Sequence, residues 1–381
     1  MIYLDHNATT RPSDGVVEAV TLALTTFWHN PSSVHRPGQA ARQQVELARR
    51  DIATLIGAKP REIVFTSGGT ESINLAIRGL IETVPRPVLV TTRVEHAAVR
   101  DLAEHLERTG RAEVRWAPVD DEGRVQLEGL RAALDGATLA AIQWANNETG
   151  AIQPVMSIGE ACRARRVPFV CDGTQWVGKE PVDVAAAAPF DVLVFAPHKF
   201  HGPKGVGVLW ARRGLGLRPT MHGSQELGRR GGTENVPGIA GAGAASREAA
   251  AWLSDPTPRD RVRTLRDLFE SIVLAGAPGS VVNGSRSHRL WNTTNIGFPR
   301  LEAEALLLML SERGVCASAG AACSSGSLDP SPVLLAMGVP PEVAHGSLRF
   351  SLGRDTTEAE VREAASITLA CAAQLRATLP G

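Results

Sequence analysis

Residues 62–80 read EIVFTSGGTESINLAIRGL. The β-branched and aromatic residues of EIVFT predict a strand over 62–66, SGGT a turn, and ESINLAIRGL a helix. The same alternation continues on both sides. Upstream, Val45, Ala48, Ile52, Leu55 and Ile56 fall at helical spacing over 37–56, and Gly57 supplies a left-handed stop. Downstream come strand PVLVTT (87–92), a helix through VRDLAEHLERTG, strand AEVRWAPV, a helix near 126–135, strand TLAAIQW (138–144), a helix near 157–166 and strand PFVCD. A further buried strand opens FDVLVFAPHKFHGPKGVGVLW (190–210) and runs through a His-Lys pair into a glycine-rich turn. Strands alternating with helices predict an α/β fold, a mainly parallel sheet with helices on both faces.

The character changes near residue 251, where the breaker-rich SDPTPRD (254–260) leads into a charged helix and a different order of elements. VVNGSRSHRLWNTTNIGFP predicts strands around a turn, EALLLMLSERG (304–314) a helix closed by Gly314, and the last segment another helix. A chain of 381 residues accommodates two domains. The expected division is a large domain over 13–250 and a smaller α+β domain made of 1–12 and 251–381.

The 40 basic and 40 acidic residues cancel, so the basic stripe of a nucleic-acid binder is missing and no direct nucleic-acid binding is expected. The pairs Arg49-Arg50 and Arg165-Arg166 read as solvated helix surface. No apolar run approaches the roughly 20 residues of a membrane span. MIYLDHNATT lacks the charged start and apolar stretch of a signal peptide, and a soluble, cytoplasmic protein is expected. The five cysteines, Cys162, Cys171, Cys316, Cys323 and Cys371, make no CxxC pair and are odd in number, which argues against a disulfide framework or a metal site.

Only four of the basic residues are lysines. Lys59 comes just after Gly57, Lys179 sits in the turn VGKEPVD and Lys204 lies between Pro203 and Gly205, so all three read as loop residues; Lys199 alone stands at a strand exit. In an open parallel sheet the ligand crevice lies beyond the carboxyl ends of the strands. Polar residues follow five strands there: SGGT, Glu95-His96, Asn146-Asn147, Cys171-Asp172 with Gln175, and His198-Lys199. SGGT before a helix presents N–H groups at the positive end of the helix dipole, suited to phosphate, although a plain turn is the commoner role of such a stretch.

Asp172 alone reads as a helix N-cap. Beside a phosphate cradle and a strand-exit lysine it reads as the acid that keeps a pyridine nitrogen protonated, and these three parts together are what holds pyridoxal phosphate. His96 is either a satisfied core histidine or a ring-stacking proton shuttle. Cys323 lies in GVCASAGAACSSGSLDPS (314–331), whose small residues and missing apolar period predict a mobile loop; a thiol there can serve as a nucleophile. Cys316 reads as packing.

Motifs along nearly the whole chain resemble those of the cysteine desulfurases, class V members of the fold-type I pyridoxal-phosphate enzymes: YLDHNATT, NPSSVHRPG, EIVFTSGGTESINLAI, VEHAAV, NNETGAIQP, DGTQ, HKFHGPKGVGVLW, GGTENVPGIAG, ACSSGSLDPS and SLRFSLGR. The cysteine segment resembles the long-loop group that serves iron–sulfur assembly and thiolation pathways. The resemblance implies that Lys199 holds the cofactor, Asp172 pairs with its pyridinium, Gln175 contacts the ring oxygen and His96 stacks on the ring. It implies that Gly69, Thr70 and His198 bind the phosphate, with Thr233 reaching it from the partner subunit of a homodimer. Asn147 and Arg349 would hold the substrate carboxylate, Arg349 through its planar fork.

By the same resemblance Lys199, helped by His96, moves the Cα proton of L-cysteine, and the Cys323 thiolate takes the sulfur as a persulfide. Alanine leaves, and a sulfur-acceptor protein receives the sulfur. Three features depart from the family pattern: Ala196, followed by Pro197, replaces a phosphate-binding serine; MHGSQELG is one residue shorter and poorer in glycine; and Trp176 stands where a small residue is usual. Two alternatives stay open on the residues alone. A cysteine or cystine C–S lyase, or a selenocysteine lyase, would use Lys199 without needing Cys323; a non-catalytic sulfur-transfer partner would need neither.

Overall fold

The computed structural model of the protein describes residues 1–82, 84–319 and 329–378. A short strand β1 (Ile2–Tyr3) and helices α1 (Asp14–Thr25) and α2 (Arg36–Leu55) precede the alternating part. That part runs β2 (Ile63–Thr66), α3 (Gly69–Ile81), β3 (Val88–Thr92), α4 (Ala97–Arg108), β4 (Glu113–Ala117), α5 (Leu127–Ala133), β5 (Leu139–Gln143), α6 (Val155–Ala164), β6 (Phe169–Asp172), α7 (Val184–Ala187), β7 (Val192–Phe195) and β8 (Gly207–Ala211). Among the described residues, β2 to β8 form one seven-stranded sheet in the order β2-β8-β7-β6-β5-β3-β4. All its strands run parallel except β8, which is antiparallel to β2 and β7. Strands β2, β3, β5, β6 and β7 are buried along their whole length, which is why each reads as an unbroken apolar run. The mainly parallel α/β sheet expected from the sequence is the one observed.

Two elements contradict or escape the sequence reading. GVGVLW, read as the continuation of a glycine-rich turn, contains β8; at Gly207 a Cβ would lie 2.3 Å from the Gly68 carbonyl oxygen, so this glycine lets a strand pass tightly beneath the SGGT turn. The alanine- and glycine-rich segment after residue 235 is helix α8 (Val236–Leu253). Its small residues hide any amphipathic pattern but bring it onto α2, where a Cβ on Gly243 would meet the Ala48 Cα at 2.7 Å.

A third correction concerns Arg49, expected on a solvated helix face. It is buried at 8% exposure, and its fork meets Glu226 with both Nη1–Oε2 and Nη2–Oε1 at 2.8 Å. Glu226 also accepts from the Phe65 N–H at 2.9 Å, which ties the loop between β8 and α8 to β2. A carboxylate from 177 residues away makes burial of this guanidinium tolerable. Arg165 and Arg166 are exposed, as expected.

The remainder of the described chain comprises α9 (Thr257–Gly276), β9 (Val281–Val282), β10 (Thr293–Gly297), α10 (Ala303–Glu312), β11 (Val315–Cys316), α11 (Pro332–Ala336), α12 (Pro341–Ala344), β12 (Ser347–Ser351) and α13 (Glu358–Arg376). Strands β12, β10 and β9 form an antiparallel sheet, and β11 pairs in parallel with β1. These elements enclose a core of their own, including Leu4, Phe269, Phe298, Leu310, Phe350 and Val361. The N-terminal segment starts in that core, bridges to β12 at Asp5–Ser351, and reaches the large sheet at Thr10, whose N–H donates to the His198 carbonyl at 2.9 Å. Among the described residues, no helix is long and apolar enough to cross a membrane.

Candidate active site

Beyond the carboxyl ends of β2, β3, β5, β6 and β7 lies a cavity of about 280 Å³ lined by Gly69, Thr70, His96, Asn147, Asp172, Gln175, His198 and Lys199. The strand exits singled out in the sequence thus converge on one space. Thr233 does not line it; it is exposed in the loop that precedes α8. Cys323 lies outside the described residues.

Each lining group has a local cause. Helix α3 starts at Gly69 without a side-chain cap, and a Cβ on Gly68 would project into open space, so the first-turn N–H groups face room for an anion. Asp172 ends β6 and lines the cavity; it accepts from the Thr174 N–H at 2.9 Å in a turn and caps no helix, since the next one, α7, begins at Val184. His96 is the N-cap of α4: its Nδ1 accepts from the Ala98 N–H at 3.1 Å, which leaves the proton of the neutral ring on Nε2. Burial lowers the His96 pKa; Asp172 opposes that shift and Lys199 adds to it. His198 is pushed down to about 3 by burial and by the neighbouring lysines, and its Nδ1 lies 3.1 Å from Thr9 Oγ1.

Lys199 closes a 3₁₀ turn (Pro197–Lys199) after β7 and donates to the carbonyls of Asn7 and Ala8 at 2.7 and 2.8 Å. Ala196, where the family pattern has serine, is buried and lines the cavity with only a methyl group. Trp176 stacks on Trp144 with ring centroids 4.5 Å apart and planes within 4°, and its Nε1 donates to the Pro181 carbonyl.

Lys179 does not behave as the loop residue expected. It is 4% exposed and donates to Gln175 Oε1 at 2.6 Å and to Asn7 Oδ1 at 2.7 Å. The turn from β6 folds back at Gly178, whose φ of 78° a side chain rarely adopts, and this sends Lys179 inward. Nothing in the local sequence marks it, because its acceptor Asn7 arrives from 172 residues away.

Arg349, on β12, does not line the cavity itself but adjoins Asn147, which does. The arginine Nη2 pairs with Asp5 Oδ1 at 2.6 Å and its Nη1 donates to the Asn147 carbonyl at 2.9 Å, while its buried Nε and the buried Oδ1 of Asn147 have no partner among the described residues. A guanidinium that is 2% exposed and has one unmet N–H suits a small carboxylate, while the Asn147 Oδ1 beside it only accepts and suits a donor such as an ammonium group. The chain on either side of residues 320–328 is fixed to this same region. Ser318 exchanges backbone hydrogen bonds with Arg349 at 2.7 and 3.2 Å, and Ser331 Oγ donates to Glu148 Oε2 at 2.6 Å, next to Asn147. Burial raises the Glu148 pKa.

The other thiols are placed as packing. Cys162, Cys171 and Cys371 are buried; burial pushes Cys162 up to about 12 and raises Cys171 and Cys371 as well. Cys316 sits in β11, opposite Tyr3.

Fold and cavity together are those of the fold-type I enzymes, and the family model of the class V aminotransferases matches residues 2–363. The chain belongs to that family and, within it, to the cysteine desulfurase group. It is 45% identical to a cysteine desulfurase of Nostoc sp. (strain PCC 7120) over 100% of its own length and 95% of that protein's. Among solved structures it is similar to a NifS-like protein, with a TM-score of 0.91, 35% identity, and 98% and 100% of the two chains covered. It is also similar to SspA in complex with cysteine, with a TM-score of 0.81, 31% identity, and 94% and 100% covered.

Proposed function

We propose that the protein is a cysteine desulfurase that binds pyridoxal phosphate in the cavity described above and moves sulfur from L-cysteine to Cys323. The residues fit the cofactor. An uncapped helix start over open space suits its phosphate, Asp172 its ring nitrogen, and Lys199 a covalent attachment to its aldehyde. Gly69, Thr70 and His198 would hold the phosphate from this chain, with no hydroxyl at position 196. When bound, the cofactor supplies a sink for the electrons of the substrate Cα–H bond.

The protein's own groups do the rest. Arg349 and Asn147 orient the substrate carboxylate, and Lys199 carries the Cα proton, with the Nε2–H of His96 as a nearby donor. The Cys323 thiolate attacks the substrate sulfur and the C–S bond breaks. Carbon accepts a proton, so that cysteine plus thiol becomes alanine plus persulfide. The observation that carries this reading is the pair of anchors at Ser318 and Ser331. Cys323 follows Ser318 by five positions, a reach of at most about 18 Å, which supports the thiol meeting a substrate held by Arg349 and Asn147.

The acceptor of the sulfur is proposed to be a protein, of an iron–sulfur scaffold or thiolation type. A homodimer is proposed because Thr233 is exposed and away from its own chain's cavity, and because α1 leaves Val17, Leu22 and Leu24 exposed. A two-domain division at residues 12/13 and 250/251 is supported by the separate cores. A reducing, cytoplasmic setting would keep the Cys323 thiol available.

Mass spectrometry of the protein after incubation with L-cysteine tests the reading: one additional sulfur atom on Cys323 is expected, together with released alanine. Cys323→Ala should abolish alanine formation while the colour of the bound cofactor persists. Full turnover by that variant would instead establish a C–S lyase.

A further inference from the structure

Two lysines stand beside the cavity, Lys199 half-buried and Lys179 buried, and the mechanism above uses only the first. Lys179 lies behind Gln175 and Asn7, and its hydrogen bonds fix more than its own position. Asn7 is the junction: its backbone carbonyl accepts from both Lys199 Nζ at 2.7 Å and Gln175 Nε2 at 3.0 Å, and its Oδ1 accepts from Lys179 at 2.7 Å. Its Nδ2 donates to Thr293 Oγ1 at 2.9 Å and to the Asn147 carbonyl at 3.2 Å. The amide of Gln175 is thereby held at both ends. The atom facing the Asn7 carbonyl must be nitrogen, because a carbonyl only accepts; the other amide atom is then the oxygen, 2.6 Å from Lys179.

We propose that Lys179 is a positioning residue for the cofactor site: by holding Gln175 Oε1 and Asn7 Oδ1 it keeps the N–H edge of Gln175 on the Asn7 carbonyl and the cavity. The inference rests on the cofactor reading above. Gln175 lines the cavity, so its second N–H is a donor for the oxygen on the cofactor ring. A donor held there would stabilise negative charge on that oxygen and so favour loss of the proton from the linkage to Lys199. Burial depresses the Lys179 pKa, and the cationic groups facing it, Lys199, Arg349 and Arg354, lower it further; Lys179 in turn depresses His6 and His198. Neither of its two side-chain acceptors is a carboxylate. Loss of the ordered donor, whether at Lys179 or at Gln175, therefore raises the pH at which the linkage deprotonates.

The test is a pH titration of the visible absorbance of the reconstituted holoenzyme. Lys179→Met should move the midpoint upward by about one pH unit, a tenfold change in the proton equilibrium. Gln175→Ala should shift it in the same direction, and the double variant should shift no further than the larger single one, because both act through one amide. A midpoint unchanged in Lys179→Met, or fully additive shifts, would overturn the proposal in favour of a merely structural lysine. Should Lys179→Met fail to fold, Lys179→Leu, which likewise has no donor, carries the same measurement: an upward shift supports the role and an unchanged midpoint refutes it. A wild-type protein without any visible band would overturn the cofactor reading itself, and with it this inference.

Discussion

Arg49 and Arg349 are both buried, and both meet a carboxylate, yet their surroundings differ in one respect. At the α2–β2 face every guanidinium nitrogen of Arg49 has an acceptor: Glu226 takes Nη1 and Nη2, the Ile63 carbonyl takes Nη1, and Glu46 takes Nε. Next to the cavity, Arg349 is held by Asp5 and the Asn147 carbonyl but keeps Nε without a partner among the described residues, beside an Asn147 Oδ1 in the same condition. A closed ion pair holds segments of chain together. An incomplete one is a receptor, because the unmet hydrogen bonds are a standing cost that a ligand removes.

The comparison breaks if the two sites respond alike to substitution. Arg349→Leu should lower kcat/KM for L-cysteine by a hundredfold or more, roughly the loss of two charged hydrogen bonds, with the main effect in KM under steady-state kinetics. Glu226→Gln should do the reverse, costing about 3 kcal/mol of stability because it leaves Arg49 buried without its counter-charge. Turnover per folded molecule should stay close to the parent's, and thermal unfolding alongside an alanine assay separates the two quantities. If Arg349→Leu only lowered the unfolding temperature, the pair next to the cavity would be a structural site like the other.

Thiols sharpen the same contrast. At pH 8, Cys162, pushed up to about 12 by burial, is almost wholly protonated, and Cys171 and Cys371 are raised as well. Iodoacetamide followed by peptide mapping should therefore label Cys323 well before these three; equal labelling would remove the distinction between packed and reactive cysteines. The smallest expected effect belongs to Glu95, fully enclosed between Thr92 and the Gln143 N–H. Burial pushes its carboxyl up to about 8 from 4.5. Folding thus takes up a proton between these values. The stability contributed by the neutral carboxyl is complete below about pH 4.5 and is lost as pH rises through about 8. Glu95→Gln cannot lose a proton, so its unfolding temperature should vary less between pH 5 and 8 than the parent's.

What the sequence revealed and what it concealed divide along the same line. The parallel strands were legible because burial on both faces writes itself as a run of apolar residues, and the rim of the cavity followed because strand ends are where such sheets put polar groups. Strand β8 was hidden because Gly205 and Gly207 resemble turn residues, although Gly207 serves close passage beneath Gly68. Arg49 and Lys179 were misread for a common reason. A charge in a single sequence is assigned to the surface by default, and the groups that allow it inside, Glu226 and Asn7, come from distant parts of the chain. The motif YLDHNATT carried the resemblance, yet nothing in it announced that Asp5 would pair with Arg349 or that Asn7 would join both lysines to the cavity.

The two stacked indoles have a practical consequence. Trp144 follows Gln143 and Trp176 follows Gln175, both of which line the cavity, and the rings lie stacked and nearly parallel at 4.5 Å. Such a pair couples its electronic transitions, and a chromophore seated in the cavity would drain its emission. The protein carries its own optical gauge of occupancy, so titrations that would otherwise require an attached dye can be followed from the intrinsic fluorescence and near-ultraviolet dichroism of unlabelled material.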